Sequence, residues 1–423
     1  MTEERIIPFG FVGLNGRGTG QLQTFIDIPG VTVTAVCDIY EDLAERAADI
    51  VAEKFGVRPA VYTDYKKMFA DGGFEAVVCC TTWITHAEIS VAAMRAGYHV
   101  AFEVGGASDI EECWDLVRTE EETGKHCMML ENCCYCKDEL AIFRMERLGM
   151  FGEVVHCTGG YRHDLRNEIL YGRELRHGRL DNFIHRNGEL YPTHQLGPIS
   201  KLLRINRGNR LLSLTSRASK ARGLEYHLNN NVDGVEYLKG TRFNEGDVVD
   251  TLISCADGET IHLVHDCSLP RPYSRNYSVS GTKGVFQSAP FGNAIQFYEV
   301  KDRYGPNVLY GDDNWSKFSE YEEKYRHPLW TKYINDGVKE GHDGVDWLVL
   351  NAFVDSVRND VLPPIDVYDS ALWMSITALS EQSIAMGGAP VPIPDFTKGK
   401  WIHREPFRRS IYCLEEVCDE CFE

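Results

Sequence analysis

The stretch Ile6-Ile7-Pro8-Phe9-Gly10-Phe11-Val12-Gly13-Leu14-Asn15-Gly16-Arg17-Gly18-Thr19-Gly20 decides the fold. Ile6 to Val12 is a short apolar run, the pattern of a strand buried on both faces. The glycines after it mark a tight turn into a helix, which continues over Gln21 to Ile28. Val31 to Cys37 is the next apolar strand, and it ends at Asp38. Strand, glycine turn, helix, strand and terminal acid together form a dinucleotide-binding pattern. The helix start faces a pyrophosphate, while the carboxylate accepts from the ribose hydroxyl of NAD and repels the extra phosphate of NADP. In the G-x-G-x-x-G register, Gly13 and Gly18 hold the outer positions and Asn15 replaces the second glycine. Asn tolerates a left-handed backbone, and Gly16 beside it relieves the same constraint. Asn15, Gly16, Gly18 and Asp38 are therefore cofactor candidates.

The alternation continues outward from this turn. Helical patterns at Glu41 to Phe55, Ala87 to Ala96 and Ile110 to Thr123 separate strands at Ala76 to Thr81, His99 to Glu103 and Cys127 to Leu130. Strands alternating with helices imply a doubly wound parallel sheet with its ligand at the carboxyl ends of the strands. Trp83, His86, Glu103 and Asn132 all fall at such ends.

Beyond about Glu131 the periodicity changes. Strand patterns recur at Val154 to Gly160, Leu211 to Ser216, Val248 to Ala256, Thr260 to Cys267, Asn276 to Gly281 and Val285 to Ser288. Asp257-Gly258 is a hairpin signal, and no crossover helices separate the later strands. The expected fold class is α/β. Residues 1–130 form an NAD-binding Rossmann domain. Residues 131–423 form an α+β substrate and oligomerisation domain with a mainly antiparallel sheet. Helices return at Val345 to Arg358 and Val367 to Met386, and these or the tail are placed to pack back on the first domain. Val367 to Met386 is apolar on most faces and reads as core.

Composition narrows the function. The 423 residues carry a formal net charge of −19, which excludes a general phosphate-backbone binder and argues against a nucleic-acid partner. At 43% hydrophobic and 11% aromatic, the chain can bury a large core. No apolar run is long enough for a membrane span, and Met1 to Arg5 lack the pattern of a signal peptide. Fourteen cysteines in such a chain predict reduced thiols and a cytoplasmic location. Cys133-Cys134-x-Cys136 lacks a second pair at zinc spacing. Cys413, Cys418 and Cys421 have an iron–sulfur-like spacing but no evident fourth ligand. No metal is expected in the site.

Three polar, aromatic stretches in the second half stand out: Gly159-Gly160-Tyr161-Arg162-His163-Asp164-Leu165-Arg166, Asn187-Gly188-Glu189-Leu190-Tyr191-Pro192-Thr193-His194 and Leu269-Pro270-Arg271-Pro272-Tyr273-Ser274-Arg275. Tyr, His and Arg supply a proton carrier and an oxyanion partner. His342-Asp343, in a glycine-flanked loop, reads equally as site lining or as a cap for the next helix.

At these residues the chain resembles glycoside hydrolase family 109, the NAD-dependent α-N-acetylgalactosaminidases, within the glucose–fructose oxidoreductase / inositol dehydrogenase superfamily. The likeness is carried by Gly16-Arg17-Gly18, Thr82-Trp83-x-x-His86, Glu103-Val104, Glu131-Asn132, Gly160-Tyr161-x-His163-Asp164-Leu165-Arg166, Leu190-Tyr191-Pro192-Thr193-His194, Gly197-Pro198 and Arg271-Pro272-Tyr273-Ser274-Arg275. The resemblance implies NAD on Arg17, Gly18, Asp38, Trp83, His86, Glu103, Val104 and Asn132. It implies sugar on Tyr161, Arg179, Tyr191, Pro192, Thr193, His194 and Tyr273.

One departure from the wider superfamily is informative. Its sugar dehydrogenases carry Glu-Lys-Pro after the fifth strand, where this chain has Glu103-Val104-Gly105-Gly106. No lysine is there to steer a hydroxyl proton, which fits the hydrolase branch.

The chemistry so implied is oxidation of the sugar at C3, loss of the C2 proton, elimination of the aglycone from C1, addition of water and re-reduction. NAD is then tightly bound and recycled each turnover. Imidazole, with a free pKa of ~6.5, suits the proton transfer, so His194 is the first catalytic candidate, with Tyr161 and Tyr273 next. Two other functions stay open on this scaffold: an NAD-dependent sugar dehydrogenase and a non-enzymatic NAD-binding sugar sensor. The expected partners are a small or terminal glycan sugar and further copies of the chain; no membrane partner is expected.

Overall fold

A computed structural model describes residues 5–297, 314–339, 341–404 and 408–423. Among these the strands form two sheets. The first comprises β1 (Ile7–Val12), β2 (Val31–Cys37), β3 (Ala60–Tyr62), β4 (Ala76–Cys79), β5 (His99–Phe102) and β6 (Cys127–Met129). Their order is β3-β2-β1-β4-β5-β6 and every pairing is parallel. β4, β5 and β6 are wholly buried, as crossover helices on both faces require. The order reverses between β1 and β4, which opens a crevice at their carboxyl ends.

Two helices begin earlier than the sequence patterns place them. One spans Gly16–Phe25 and the other Trp83–Arg95. Glycine and tryptophan are poor helix signals, but the turns ahead of them leave no room for more loop. Gly13 takes φ +86° at the end of β1. A β-carbon built on Gly18 would lie 2.0 Å from the Gly13 carbonyl oxygen. Only glycine lets the helix start this close to the strand. Asn15 does not use a left-handed backbone; it is extended, at φ −78° and ψ 162°.

The second sheet holds β7 (Val154–Arg162), β8 (Leu211–Ala218), β9 (Val249–Cys255), β10 (Thr260–Asp266), β11 (Ser278–Gly281), β12 (Gly284–Gln287), β13 (Ala294–Phe297), β14 (Ser316–Lys317) and β15 (Val391–Pro392). The order is β14-β13-β12-β11-β7-β10-β9-β8-β15. It is antiparallel except where β7 and β10 run parallel. The hairpin at Asp257-Gly258 forms as its residues indicate, with Gly258 at φ +101°. Pairing β10 with β7 joins segments far apart in sequence, so no local pattern announces it. β9 alternates buried and exposed residues, which leaves Leu252 on the open face.

Helix Val367–Ala385 is buried between the two sheets. Its Ser370 hydroxyl accepts from Met129 N–H on β6 at 3.1 Å, and its Ser383 hydroxyl accepts from Ser216 N–H on β8 at 2.9 Å. Met374 O accepts from Ala107 N–H at 3.1 Å. The helix is core, as its apolar pattern indicates, but its hydroxyls also tie both sheets together. The last residues dock through Tyr135 Oη, which donates to Tyr412 O at 2.9 Å, and Arg147 Nε, which donates to Glu415 O at 2.9 Å. All fourteen cysteines are free. Cys413, Cys418 and Cys421 do not gather into a three-ligand set among the described residues. No helix among the described residues is long and apolar enough to cross a membrane.

Buried imidazoles make the fold acid-sensitive. His327 caps helix Pro328–Asp336 by accepting from Leu329 N–H at 3.2 Å. Burial and nearby Arg144 lower its pKa to about 3; burial lowers that of His99 to about 4. As pH falls below the ordinary 6.5, the unfolded chain binds protons that the folded chain refuses, so stability falls. The unfolding midpoint is expected to drop between pH 7 and 5, each such group costing about 1.4 kcal/mol per pH unit at most. His327→Asn keeps a capping acceptor and removes one titration. Its midpoint, followed by thermal denaturation, should fall less steeply over that range than the wild type's.

Candidate active site

A cavity of about 990 Å³ lies at the carboxyl ends of the first sheet, between it and the second half of the chain. That is the upper end of the range for small-molecule sites. The structure brings Asn15, Gly16, Arg17, Asp38, Trp83, His86, Glu103, Val104, Asn132, Tyr161, Arg179, Tyr191 and His194 to its wall. Gly18, Pro192, Thr193 and Tyr273 stand outside that lining. Gly18 is packed beneath the turn. Thr193 is fully buried where helix Thr193–Leu202 begins. Tyr273 is half exposed and sets its ring against Tyr161 and His163, at 5.9 and 5.0 Å. His342 lines the cavity too, while Gly344 rather than Asp343 precedes the next helix.

One end of the cavity is shaped for a nucleotide. A β-carbon on Gly16 would meet nothing within 4 Å, so the chain is open toward the cavity there. Helices Gly16–Phe25 and Trp83–Arg95 both start without a side-chain cap, although Asn15 and Thr82 stand at the capping positions. Helix Ile110–Thr123, which starts away from the cavity, is capped by Asp109. Uncapped N–H groups with the positive end of the helix dipole suit an anion. Asp38 is buried and accepts from Leu14 N–H at 2.7 Å and Tyr40 N–H at 2.9 Å. His86 is buried, and its Nε2 lies 3.0 Å from Thr81 O, leaving Nδ1 without a partner. Burial lowers its pKa to about 4, so the neutral ring turns an acceptor inward. Asn132 Oδ1 is also unpartnered. Orphaned buried acceptors around an open glycine turn fit the hydroxyl and amide donors of a dinucleotide.

Arg17 and Asn132 converge on a residue the sequence patterns did not single out. Arg17 Nε donates to Glu103 at 2.8 Å, and its two terminal nitrogens donate to Asp346 at 2.6 and 2.8 Å. Asn132 Nδ2 donates to the same Asp346 carboxylate at 2.7 Å, and His342 Nδ1 lies 2.7 Å from it. Gln21 bonds to Glu103 as well. Burial opposes charge on Arg17, but Glu103 and Asp346 outweigh it and its pKa is raised. Contacts from His342 and Arg17 hold Asp346 below the usual carboxylate range despite its burial. The His342-x-x-x-Asp346 spacing was a signal available in the sequence, one turn into a helix start.

The other end is aromatic. The Tyr161 and Tyr191 rings pack at a tilt of 34° with centroids 4.3 Å apart, and Tyr191 lies 5.5 Å from Trp83. Arg179 sits over both Trp83 and Tyr191, at 5.2 and 5.3 Å, and pairs with Glu168 at 3.0 Å. Glu168 and His177 also line the cavity, and no motif pointed to them. Nearby Arg179 favours the Tyr161 phenolate, but burial wins and the Tyr161 pKa is raised to about 12. His163 lies 3.3 Å from the Tyr161 hydroxyl, whereas Asp164 pairs with Arg166 instead.

His194 Nδ1 is 2.9 Å from Glu131 Oε1, and Glu131 is fully buried. Burial alone would raise the Glu131 pKa; His194, Thr193 and the Cys133 N–H reverse that and hold it below its ordinary value. An ionised Glu131 only accepts, so Nδ1 carries the proton and Nε2 is the free nitrogen. The helix that begins at Thr193 comes this close because β7 carries Gly159. A β-carbon there would lie 2.0 Å from Gln195 Cγ. Glu131, Cys133 and His194 also bring one ligand atom each within 4.8 Å of the others. Burial raises the Cys133 thiol well above its ordinary range.

Residues 135–403 match the family model of the glycosyl hydrolase 109 C-terminal domain, and residues 7–131 that of the oxidoreductase family with an NAD-binding Rossmann fold. An alpha-N-acetylgalactosaminidase of Tannerella forsythia is 40% identical, over 95% of this chain and 88% of that protein. The chain belongs to glycosyl hydrolase family 109. A family 109 protein of Parabacteroides distasonis is 38% identical, over 95% of this chain and 89% of its own. The fold is shared more widely. An oxidoreductase from Agrobacterium radiobacter, solved with NAD⁺, L-tartaric acid and magnesium, superposes with a TM-score of 0.63 at 17% identity. The match covers 92% of this chain and 98% of the other.

Family membership places the chain with glycoside hydrolases, and the segment after β5 is closely packed. A β-carbon on Gly105 would lie 2.5 Å from the Trp83 ring, and one on Gly106 would lie 2.0 Å from Thr377 Oγ1. These glycines let Trp83 and helix Val367–Ala385 pack directly against the segment that follows β5.

Asp346→Asn tests the charge hub. Arg17 would keep Glu103 but lose half its compensation, at a cost of about 1–3 kcal/mol. A lowered unfolding midpoint together with weaker NAD binding by calorimetry is expected; an unchanged midpoint would show that the hub is not structural.

Proposed function

We propose that the chain is an α-N-acetylgalactosaminidase that works through a resident, recycled NAD. One observation carries the reading. The open nucleotide turn with Asp38 and the His194–Glu131 pair face the same cavity. A group that oxidises a sugar and a group that moves its proton therefore reach one ring. The named activity of the Tannerella forsythia relative supports the choice of sugar and anomer.

When bound, NAD supplies reversible oxidation at C3 of the sugar. The chain's own residues do the rest. The helix start at Gly16 and the Asp38 carboxylate hold pyrophosphate and ribose. Trp83 and Tyr191 present flat apolar faces to the sugar ring. His194 Nε2 takes the C2 proton, and the buried Glu131 stabilises the imidazolium that results, in the way a buried carboxylate supports a catalytic histidine elsewhere. Arg179 supplies the positive charge that an enolate oxygen needs. Tyr161, with a pKa near 12, keeps its proton at neutral pH and so donates; it is suited to the departing or returning oxygen. Tyr273 acts from outside the cavity by fixing the Tyr161 and His163 rings. The same reading places the enzyme in the cytoplasm. It assembles copies through the open face of the second sheet, where Leu252 is exposed.

The purified protein should release the chromophore from an aryl α-N-acetylgalactosaminide with no net NADH in the same cuvette. Glu131→Gln should lower kcat roughly 10²–10⁴-fold, the usual worth of a positioned proton-transfer group, with little change in KM. Steady NADH formation from free sugars without aryl release would sink the proposal.

A further inference from the structure

Asn15 does something that its place in the chain does not require. It stands at the N-cap of helix Gly16–Phe25, where Asn is among the best capping residues, yet its side chain makes no cap. Instead Nδ2 donates across the cavity to Leu175 O at 2.6 Å and to Arg176 O at 3.1 Å. Residues 175–178 line the cavity opposite the turn. They belong to a segment folded on itself by bonds from Leu175 N–H to Tyr171 O and from His177 N–H to Gly172 O, both at 2.8 Å. Arg176 is held at φ +55°, a conformation that persists in a non-glycine residue only where its surroundings impose it. Its side chain reaches the other wall as well. It lies 4.4 Å over the Tyr40 ring and bonds to both oxygens of Asp42 at 2.9 Å, beside the ribose-binding Asp38. Three residues later the chain reaches Arg179, between Trp83 and Tyr191.

We propose that residues 171–178 form a strap that retains the nucleotide, and that Asn15 is its latch. The inference rests on the reading that NAD is resident in this cavity. A glycine at this position of the fingerprint has no side chain with which to bridge the cleft. The asparagine leaves the helix N–H groups free for pyrophosphate and ties the far wall down beside them. Such a latch suits a cycle that returns its cofactor to the starting state, since nothing is gained by exchange. A dehydrogenase, which must release its cofactor each turnover, would be slowed by it.

The test uses the full-length holoenzyme. Bound NADH is chased with excess NAD⁺, and its release is followed by nicotinamide fluorescence for the wild type, Asn15→Ala and Asn15→Gly. Two bridging hydrogen bonds predict release about tenfold faster or more in both variants. Faster tryptic cleavage after Arg173 or Arg176 should accompany it. Asn15→Ala releasing NADH at the wild-type rate would overturn the latch. Faster release in Asn15→Gly alone would also overturn it, because turn geometry and not the side chain would then be responsible. A wild-type protein that binds no NADH would instead bring down the cofactor reading itself.

Discussion

The charge of Arg17 constrains the whole molecule. It sits in the first turn of the helix after the glycine loop, and its two neutralising partners lie on two other segments. Glu103 follows β5, Asp346 begins helix Val345–Asn359, and Asn132, after β6, completes the Asp346 shell. About a third of its side chain stays exposed at the cavity wall, and the two carboxylates balance its charge. Through Asp346 the last third of the chain reaches back to the nucleotide turn of the first sheet. Helix Val367–Ala385 meets the same demand by different means, with hydroxyl groups gripping backbone from both sheets.

From that frame follows the division of the cavity. The nucleotide end is made of backbone: an open glycine, two uncapped helix starts and a carboxylate already steadied by two N–H groups. The aromatic end is made of side chains whose ionisation is set by burial and by their partners. The phenol of Tyr161 is kept protonated in spite of its arginine neighbour, because desolvation outweighs the attraction. The carboxyl of Glu131 is kept ionised in spite of complete burial, because His194, Thr193 and a backbone N–H together outweigh desolvation. The same two effects compete at both positions, and the number of partners decides between them.

Much of this was legible in one dimension. The apolar runs of β2 and helix Glu41–Phe55 end where composition places them, because strand burial and helix amphipathicity are local patterns. The glycine turn and Asp38 announced a nucleotide because backbone sterics and one carboxylate are enough to define such a site. The motifs at Tyr161, Tyr191 and His194 pointed to a second set of groups, and the fold brings them to the same wall.

What the sequence determined by itself was the class of the segments with a strong local pattern, such as β1, β2 and helix Glu41–Phe55, since that depends on neighbours within a few residues. Only the tertiary structure decided which groups act together. Asp346 lies over two hundred positions from Asn132, and β10 reaches β7 across two intervening strands of chain. Asn15 meets Leu175 across the cavity. In each case the partner is chosen by how sheets and helices stack. A missing β-carbon, such as that of Gly18 or Gly159, sets how closely they do so. Stacking is a property of the whole core, and no window of sequence contains it.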